Sequence, residues 1–556
     1  MSLAQYLGAD WRKHRFGARG GFTAYWRAKL DEDPLLRDLT MCVDLLLGGD
    51  RQIRIASRSM TTTSGDDGQA FDWLPLLQEE PDIDSMITKG QGGSTVRSIQ
   101  LAFPAFHLRP AEAIAKGRRL SGTGEVSLNV PGGDHDHRIR LMAGIVDGGV
   151  SWGSNEDGWV TCALSDPLDA GNGIVPPWVA TAETWPNLDP GANGQRYPLA
   201  LNEYTFIPAI AVDVTVGATK YLFAHGWGWS DAGTPVRVNG VPYAAANAEY
   251  AWAFEETRDA RGVPVTVVTF SGTHVWDFTE AVHVAASGGP GPYTLIDIIR
   301  QLVEGYSTIG PDGAHPLLFA EAEAALGPVR PVSVINGSSS ESAARVLDFV
   351  EGDLLRSFPM VSMLWWGGGY GPVVYDRMAP AVMSLEVGAY PMISRVTDPS
   401  ESPANKGANN FTIRYNYDAL GNQWLGCVVR DPTNSVICNL SMVGDRERWA
   451  DVLDLAHVAD DGVAGQVADW LVAHESLPSV YIEHDVYPCV LLWLHPGSNV
   501  NLTDAEQGWS GVRATVERLD YQRGRVVLGF RVWAHAAVIS SGGGAGTAVG
   551  PGGGQS

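Results

Sequence analysis

Asp134, His135, Asp136 and His137 form the densest run of oxygen and nitrogen donors in the sequence, a set whose chemistry would suit a divalent cation. Alternate residues of an extended segment point to opposite sides. A closed metal site would therefore need ligands from elsewhere, and the run reads more simply as the polar turn of a hairpin. His474-Glu475 begins like the helix motif of a zinc peptidase, but Pro478 stands where its second histidine would be. The glycines Gly367 to Gly369 in WWGGGYGP lack the following Lys-Ser/Thr that a phosphate loop requires, and no G-x-S-x-G elbow occurs.

Trp227 and Trp229 in FAHGWGWSD have the flat faces of a sugar-stacking platform. In a chain with 19 tryptophans, core or interface packing accounts for them more simply. The carboxylate pairs Glu255 with Glu256 and Asp460 with Asp461 are sequence neighbours, so they read as solvent edges and helix caps and not as a glycosidase dyad. Asn410, Asn439 and Asn501 head glycosylation-like triplets that carry no weight without a secretory signal. The five cysteines are scattered and contain no C-x-x-C pair, which disfavours a disulfide scaffold or a zinc ribbon. The sequence thus assigns no catalytic residue, no cofactor and no metal ligand, and the expectation is a protein that is not an enzyme.

Acidic residues outnumber basic ones 63 to 39, giving a net charge of −24. Such a field repels phosphate backbones, so sequence-independent nucleic-acid binding is disfavoured. With 45% hydrophobic residues and a mean hydropathy of −0.05, the chain can bury large cores. No apolar run approaches the roughly 18 residues a bilayer-spanning helix needs, and the N-terminus lacks a signal-like apolar stretch, so synthesis in the cytosol is expected.

The 556 residues exceed what one core supports and imply several folding units. Residues 1–34 read as an N-terminal arm with a weak helical pattern from Thr23 to Leu30, either docked or frayed. Residues 35–170 alternate with period two in short segments and close with a hairpin, IRLMAGIVD followed by WVTCALSDP. VRATVERLD and RVVLGFRVW close the region 382–535 in the same way, which predicts two related antiparallel β-barrel-like units bracketing the chain.

Between them, residues 171–290 read as a Gly/Pro-rich linker up to Pro198 followed by a small β domain. Residues 291–381 read as mixed α+β, with one helix carrying Leu295, Ile298, Ile299, Leu302 and Val303 on one face. A second helix is expected after a capping box at Ser338 and Glu341, with Val346, Leu347, Val350 and Leu354 on its apolar face. In 382–535, FTIRYNYD and CVLLWL read as strands, interrupted by a helix from Asp461. The Gly-rich segment 536–556 reads as a flexible tail.

The segment SFPMVSMLWWGGGYGP from Ser357, continued by VVYDR and preceded by ARVLDFVEGDLLR, resembles the middle region of tail hub proteins of siphophages, which belong with the baseplate hubs of contractile phages and of gene transfer agents. VINGSSSESAARVLDFVE from Val334, NNFTIRYNYD from Asn409 and VYPCVLLWLHPGSNVNLTD from Val486 extend the resemblance over roughly the C-terminal half. It implies a structural virion protein of mainly β, multidomain fold. Three copies would form a homotrimer in which two β-barrels per chain make a pseudo-sixfold ring. That ring would join the hexameric distal tail ring to the tip, fibre or spike proteins, with the tape measure protein a further candidate partner. DNA would pass through without being bound, and no stable membrane insertion is implied. The resemblance places the protein in the virion, at the tail tip or baseplate, after assembly in the bacterial cytoplasm. The alternative reading is a carbohydrate-binding or carbohydrate-active β protein that uses the tryptophan-rich second domain.

Overall fold

A computed structural model describes residues 22–33, 36–47, 51–65, 67–87, 98–104, 122–152, 159–166, 168, 172–202, 204–215, 217–243, 250–272, 281–289, 291, 293–335, 344–389, 391–397, 399–401, 408–418, 422–440, 450–476 and 479–533. Most of the N-terminal arm and the whole Gly-rich tail therefore lie outside the described residues. The fold is mainly β and multidomain, with two half-barrel sheets at its two ends.

The first sheet grows from β1 (Thr40–Leu47), whose central residues Met41, Val43 and Leu45 are buried. The strands that follow are β2 (Arg51–Ala56), β3 (Met60–Thr63), β4 (Ala70–Trp73), β5 (Ile83–Met86), β6 (Ser98–Pro104), β7 (Gly122–Asn129), β8 (Ile139–Trp152) and β9 (Trp159–Ser165). Among the described residues all of them except β5 form one antiparallel sheet of order β2-β1-β7-β8-β9-β6 and a separate β3-β4 ribbon. β8 and β9 are the closing hairpin expected from the sequence.

Helix Phe22–Glu32 docks on this unit. Trp26 is buried and its indole N–H donates to the His137 carbonyl at 2.7 Å, while the Tyr25 hydroxyl accepts from the Asp134 amide at 3.0 Å.

Next come β10 (Ile174–Val175), β11 (Leu199–Leu201), β12 (Tyr204–Pro208), β13 (Ile210–Asp213), β14 (Ala218–His225), β15 (Trp229–Val238), β16 (Val241–Pro242), β17 (Tyr250–Arg258), β18 (Pro264–Gly272) and β19 (Val282–Gly288). Sheets β12-β19-β15-β16 and β13-β14-β18-β17 face each other across Ile207, Phe223, Trp229, Val268 and Phe270.

The Gly/Pro-rich stretch up to Pro198 is not a free linker but packs onto this domain. Trp185, Ala192 and Tyr197 are buried against Ile210, Leu222, Val265 and Val267 on the outer face of the second of these sheets. The Trp185 indole N–H donates to the Tyr197 hydroxyl at 2.9 Å, and that hydroxyl donates to Asp259 at 2.8 Å. Gly and Pro make this segment irregular, but its tight turns satisfy their own backbone groups and let its aromatic residues cover a sheet.

In the middle region Thr294 and Asp297 form a capping box that opens helix Leu295–Tyr306, whose buried face carries all five residues expected from the periodicity. The expected cap at Ser338 and Glu341 lies outside the described residues. It cannot open the next helix, because that helix spans Val346–Gly352 and starts from Arg345. β20 (Ser333–Ile335) and β21 (Ala344–Arg345) pair back to β11 and β10.

Gly367 and Gly368, with φ of 54° and 85°, form the two-residue turn between β22 (Val361–Trp366) and β23 (Gly369–Val374). A Cβ at Gly369 or Gly371 would come within 2.9 Å of the Cβ of His315 or Leu318. The glycine run is therefore a hairpin turn plus a close approach by helix Pro316–Leu326.

His315 caps that helix, its Nδ1 accepting from the Leu318 amide at 3.4 Å, and burial pushes its imidazole down to about 4. The fold thus favours the neutral ring, while an unfolded imidazole titrates near 6.5. The stabilisation is complete above about pH 6.5 and is lost as the pH falls from there through about 4. Between pH 7 and pH 5 the loss should be on the order of 2 kcal/mol. His315→Asn, which keeps a capping acceptor but cannot titrate, should flatten this part of the pH profile in urea denaturation. An unchanged profile would contradict the assignment.

The last strands are β24 (Met383–Glu386), β25 (Met392–Arg395), β26 (Ser400–Glu401), β27 (Asn410–Asp418), β28 (Gln423–Arg430), β29 (Ala450–Leu455), β30 (Ser479–Val486), β31 (Asn499–Asp504), β32 (Trp509–Gln522) and β33 (Arg525–Trp533). The second half-barrel has the order β24-β31-β32-β33-β30-β25, with β24 parallel to β31 and the other pairs on this path antiparallel.

One expectation holds and one fails in this region. FTIRYNYD is the strand expected, and it centres a separate sheet, β28-β27-β29, which packs on helix Asp461–Glu475. CVLLWL is not a strand, because Pro488 opens a 3₁₀ turn over Pro488–Leu492 whose apolar side chains enter the core. A short, fully apolar run carries no period by which to tell the two apart.

Candidate assembly interface

Small strand β5 departs from the first unit and adds to the second half-barrel. Ile83–Met86 pair antiparallel with Arg518–Tyr521 of β32. Arg518 reinforces this joint by reaching Asp84 at 3.1 Å on the incoming strand, and Glu483 at 3.1 Å and Asp520 at 2.9 Å in its own sheet. The Tyr521 hydroxyl donates to Glu80 at 3.2 Å, and Arg523 pairs with Glu79. Seven positions across Glu79–Ile87 thus lace the two half-barrels together, the Ile87 amide donating to the Glu517 carbonyl at 2.9 Å.

The middle region fills the space behind this joint. The indole N–H of fully buried Trp365 donates to the Ala143 carbonyl of β8 at 3.2 Å. Tyr375 reaches the other sheet, its hydroxyl donating to Glu517 at 2.6 Å, and the Trp470 indole donates to the Tyr375 carbonyl at 2.6 Å. One continuous apolar core runs from Trp26 through Trp365 to Trp533. Both sheets are therefore held in a fixed relation and are not free to swing on a linker.

The same lattice leaves apolar side chains outward near the sheet margin. Asn499 donates to the Asp376 and Ala379 carbonyls at 2.7 and 3.1 Å, pinning a loop from which Met378 and Val382 project, 72% and 54% exposed. On the inserted sheet Leu425, Val429 and Val452 stay exposed on the face away from the helix.

The residues whose types suggested chemistry take structural places. Asp134 caps the short 3₁₀ turn His135–His137 and holds the His137 ring at 2.8 Å. Thr62 meets His135 at 3.1 Å, Ser64 donates to Asp136 at 2.7 Å, and Phe71 stacks on His135. This run is the turn that receives the N-terminal helix, and no group of three metal-ligating side chains forms among the described residues.

His474 accepts from the Arg377 amide at 3.1 Å, and its other ring nitrogen faces the Trp470 carbonyl at 2.8 Å. Asp460 caps the helix that follows it. Glu255 takes Lys220 and Thr269, each at 2.7 Å, whereas Glu256 takes the Gly228 amide, so the two carboxylates serve different neighbours. Trp229 is buried, while Trp227 is 39% exposed under the Arg258 guanidinium, so the two do not share one platform. The five cysteines are free, and Cys427 is the exposed one. Among the described residues no helix is long and apolar enough to cross a membrane.

No protein-family model matches the chain, and no curated protein matches it. Among solved structures it is similar to a tail protein from Neisseria meningitidis MC58, at 11% identity over 89% of this chain and 97% of that one, with a TM-score of 0.40. It is also similar to the 43 kDa tail protein of prophage MuSo2 from Shewanella oneidensis, at 10% identity over 89% and 99% of the two chains and a TM-score of 0.38. A chain of the virion of a native gene transfer agent particle is similar at 11% identity over 61% of this chain and 85% of that one, again with a TM-score of 0.38. The solved structures that this chain is similar to thus include phage tail proteins at low sequence identity.

Proposed function

We propose that this chain is a structural, non-enzymatic tail hub that assembles as a homotrimer around the passage for DNA. The observation that carries the reading is the β5–β32 joint, which fixes two half-barrel sheets of one chain side by side. Three such chains present six half-barrels, enough to mate a sixfold tail ring with a threefold tip. The hub stands in the virion between the distal tail ring and the tip, fibre or spike proteins, with the tape measure protein reaching it from above. A net charge of −24 per chain repels phosphates wherever carboxylates face the passage.

Size-exclusion chromatography with light scattering should give a mass near three times 59.6 kDa, and the trimer should co-elute with the tail-ring protein. A stable monomer at working concentration, or a trimer map without a central passage, would overturn the reading.

A further inference from the structure

A cleft of about 340 Å³ lies between the β-sandwich and helix Leu295–Tyr306, and no contact described above occupies it. Its volume falls at the small end of ligand pockets, which suits one ring and not a chain of them. Trp227 forms one wall. The Arg258 guanidinium covers one face of the indole at 4.4 Å, and the Trp227 N–H donates to the Thr257 carbonyl at 3.2 Å, so the ring is held in place yet remains 39% exposed. Tyr293 and Leu201 supply further apolar surface.

Two polar groups in the cleft lack partners of their own among the described residues. The Gln301 side-chain carbonyl is buried with no donor, and the Tyr293 hydroxyl makes no hydrogen bond among the described residues. His225 also lines the cleft, positioned by stacking on Trp178 at 3.9 Å.

The walls are fixed before anything binds. Asn202 clamps the chain at Tyr293 through both backbone groups, at 2.7 and 2.8 Å, and also donates to the Pro331 carbonyl at 2.7 Å. Preorganisation of this kind lowers the ordering cost of binding. A ligand that matches this cleft has an apolar face for the indole and several hydroxyls around its rim, which can donate to Gln301 and His225 and accept from Tyr293 and Arg258. A flat apolar molecule would leave the buried Gln301 acceptor unsatisfied.

We propose that the cleft binds one pyranose ring of an uncharged saccharide, a function distinct from the hub role and independent of it. Trp227 is the stacking wall and Gln301 the hydroxyl acceptor.

The test is saturation-transfer NMR on the full chain with the methyl glycosides of glucose, galactose, mannose and N-acetylglucosamine. At least one should receive saturation at its ring protons with millimolar affinity. Trp227→Ala should weaken that signal roughly tenfold or more while the thermal melt stays at the wild-type position. Should Trp227→Ala fail to fold, Gln301→Leu becomes the deciding variant, with the same loss expected. Absence of transfer to all four sugars, or transfer retained in the deciding variant, overturns the proposal.

Discussion

Replacing Ser85 with proline is expected to release the N-terminal half-barrel from the C-terminal one and to abolish the proposed trimer. The register puts Ser85 opposite Leu519. The Ile87 amide donates to the Glu517 carbonyl, so Ile87 and Glu517 form a hydrogen-bonded pair. Such pairs alternate along an antiparallel ladder, which makes Ser85 with Leu519 the next one. Proline there removes the donor and places its ring in a position that is only 1% exposed. The cost should be on the order of 3 kcal/mol at the joint, comparable to proline inside other hydrogen-bonded elements.

The effect should be local at first. Arg518 would lose the geometry that brings Asp84 to it, whereas β32, β33 and β30 keep their own pairing. Urea denaturation should therefore change from a joined transition to two separated ones, and light scattering should report monomer. A single cooperative transition at the wild-type midpoint would show that the joint does not couple the sheets. A two-step transition with an intact trimer would refute the claim that assembly depends on their fixed spacing.

This joint was invisible in the sequence. IDSM is four residues long, and nothing in its pattern distinguishes pairing with a near neighbour from pairing with residues more than 400 positions away. The closing hairpins β8–β9 and β32–β33 were legible because each strand alternates over enough residues for period two to declare itself. Helix Leu295–Tyr306 was legible from its apolar face, and its Thr294–Asp297 cap follows the S/T-x-x-D/E pattern of a helix start.

The errors share a physical cause. CVLLWL and the stretch up to Pro198 are both buried by tertiary contacts that local pattern does not encode, the first through a 3₁₀ turn and the second by its aromatic residues covering a sheet. The candidate saccharide cleft was half legible. Trp227 was singled out, but its supposed partner Trp229 points into the sandwich core, and Tyr293 and Gln301 are more than 60 positions distant.

Glu517→Gln is the second substitution expected to have a large effect, because it leaves a buried charge without its counterpart. Val516 pairs with Phe530 and Arg518 with Gly529, so Glu517 is the extra residue of a β-bulge. A bulge re-aims its side chain, and here the carboxylate turns inward and is only 6% exposed. It receives Arg531 through two parallel bonds of 2.5 and 2.8 Å and the Tyr375 hydroxyl at 2.6 Å.

The neutral amide can accept only through its one oxygen, and its NH₂ group would face the guanidinium. Removing one partner of such a pair costs about 3–5 kcal/mol, chiefly from the stranded charge. Tyr375→Phe should cost only about 1 kcal/mol, since the Arg531 pair remains. The double variant Glu517→Leu with Arg531→Met should recover most of the loss, as an apolar pair of similar bulk carries no desolvation cost. Urea denaturation of the wild type and these three variants measures each of these differences. If Glu517→Gln costs under about 1 kcal/mol, or the double variant is as unstable as the single one, the carboxylate is not what ties the second half-barrel to the Tyr375 segment, and packing around Trp533 and Trp470 must hold it instead.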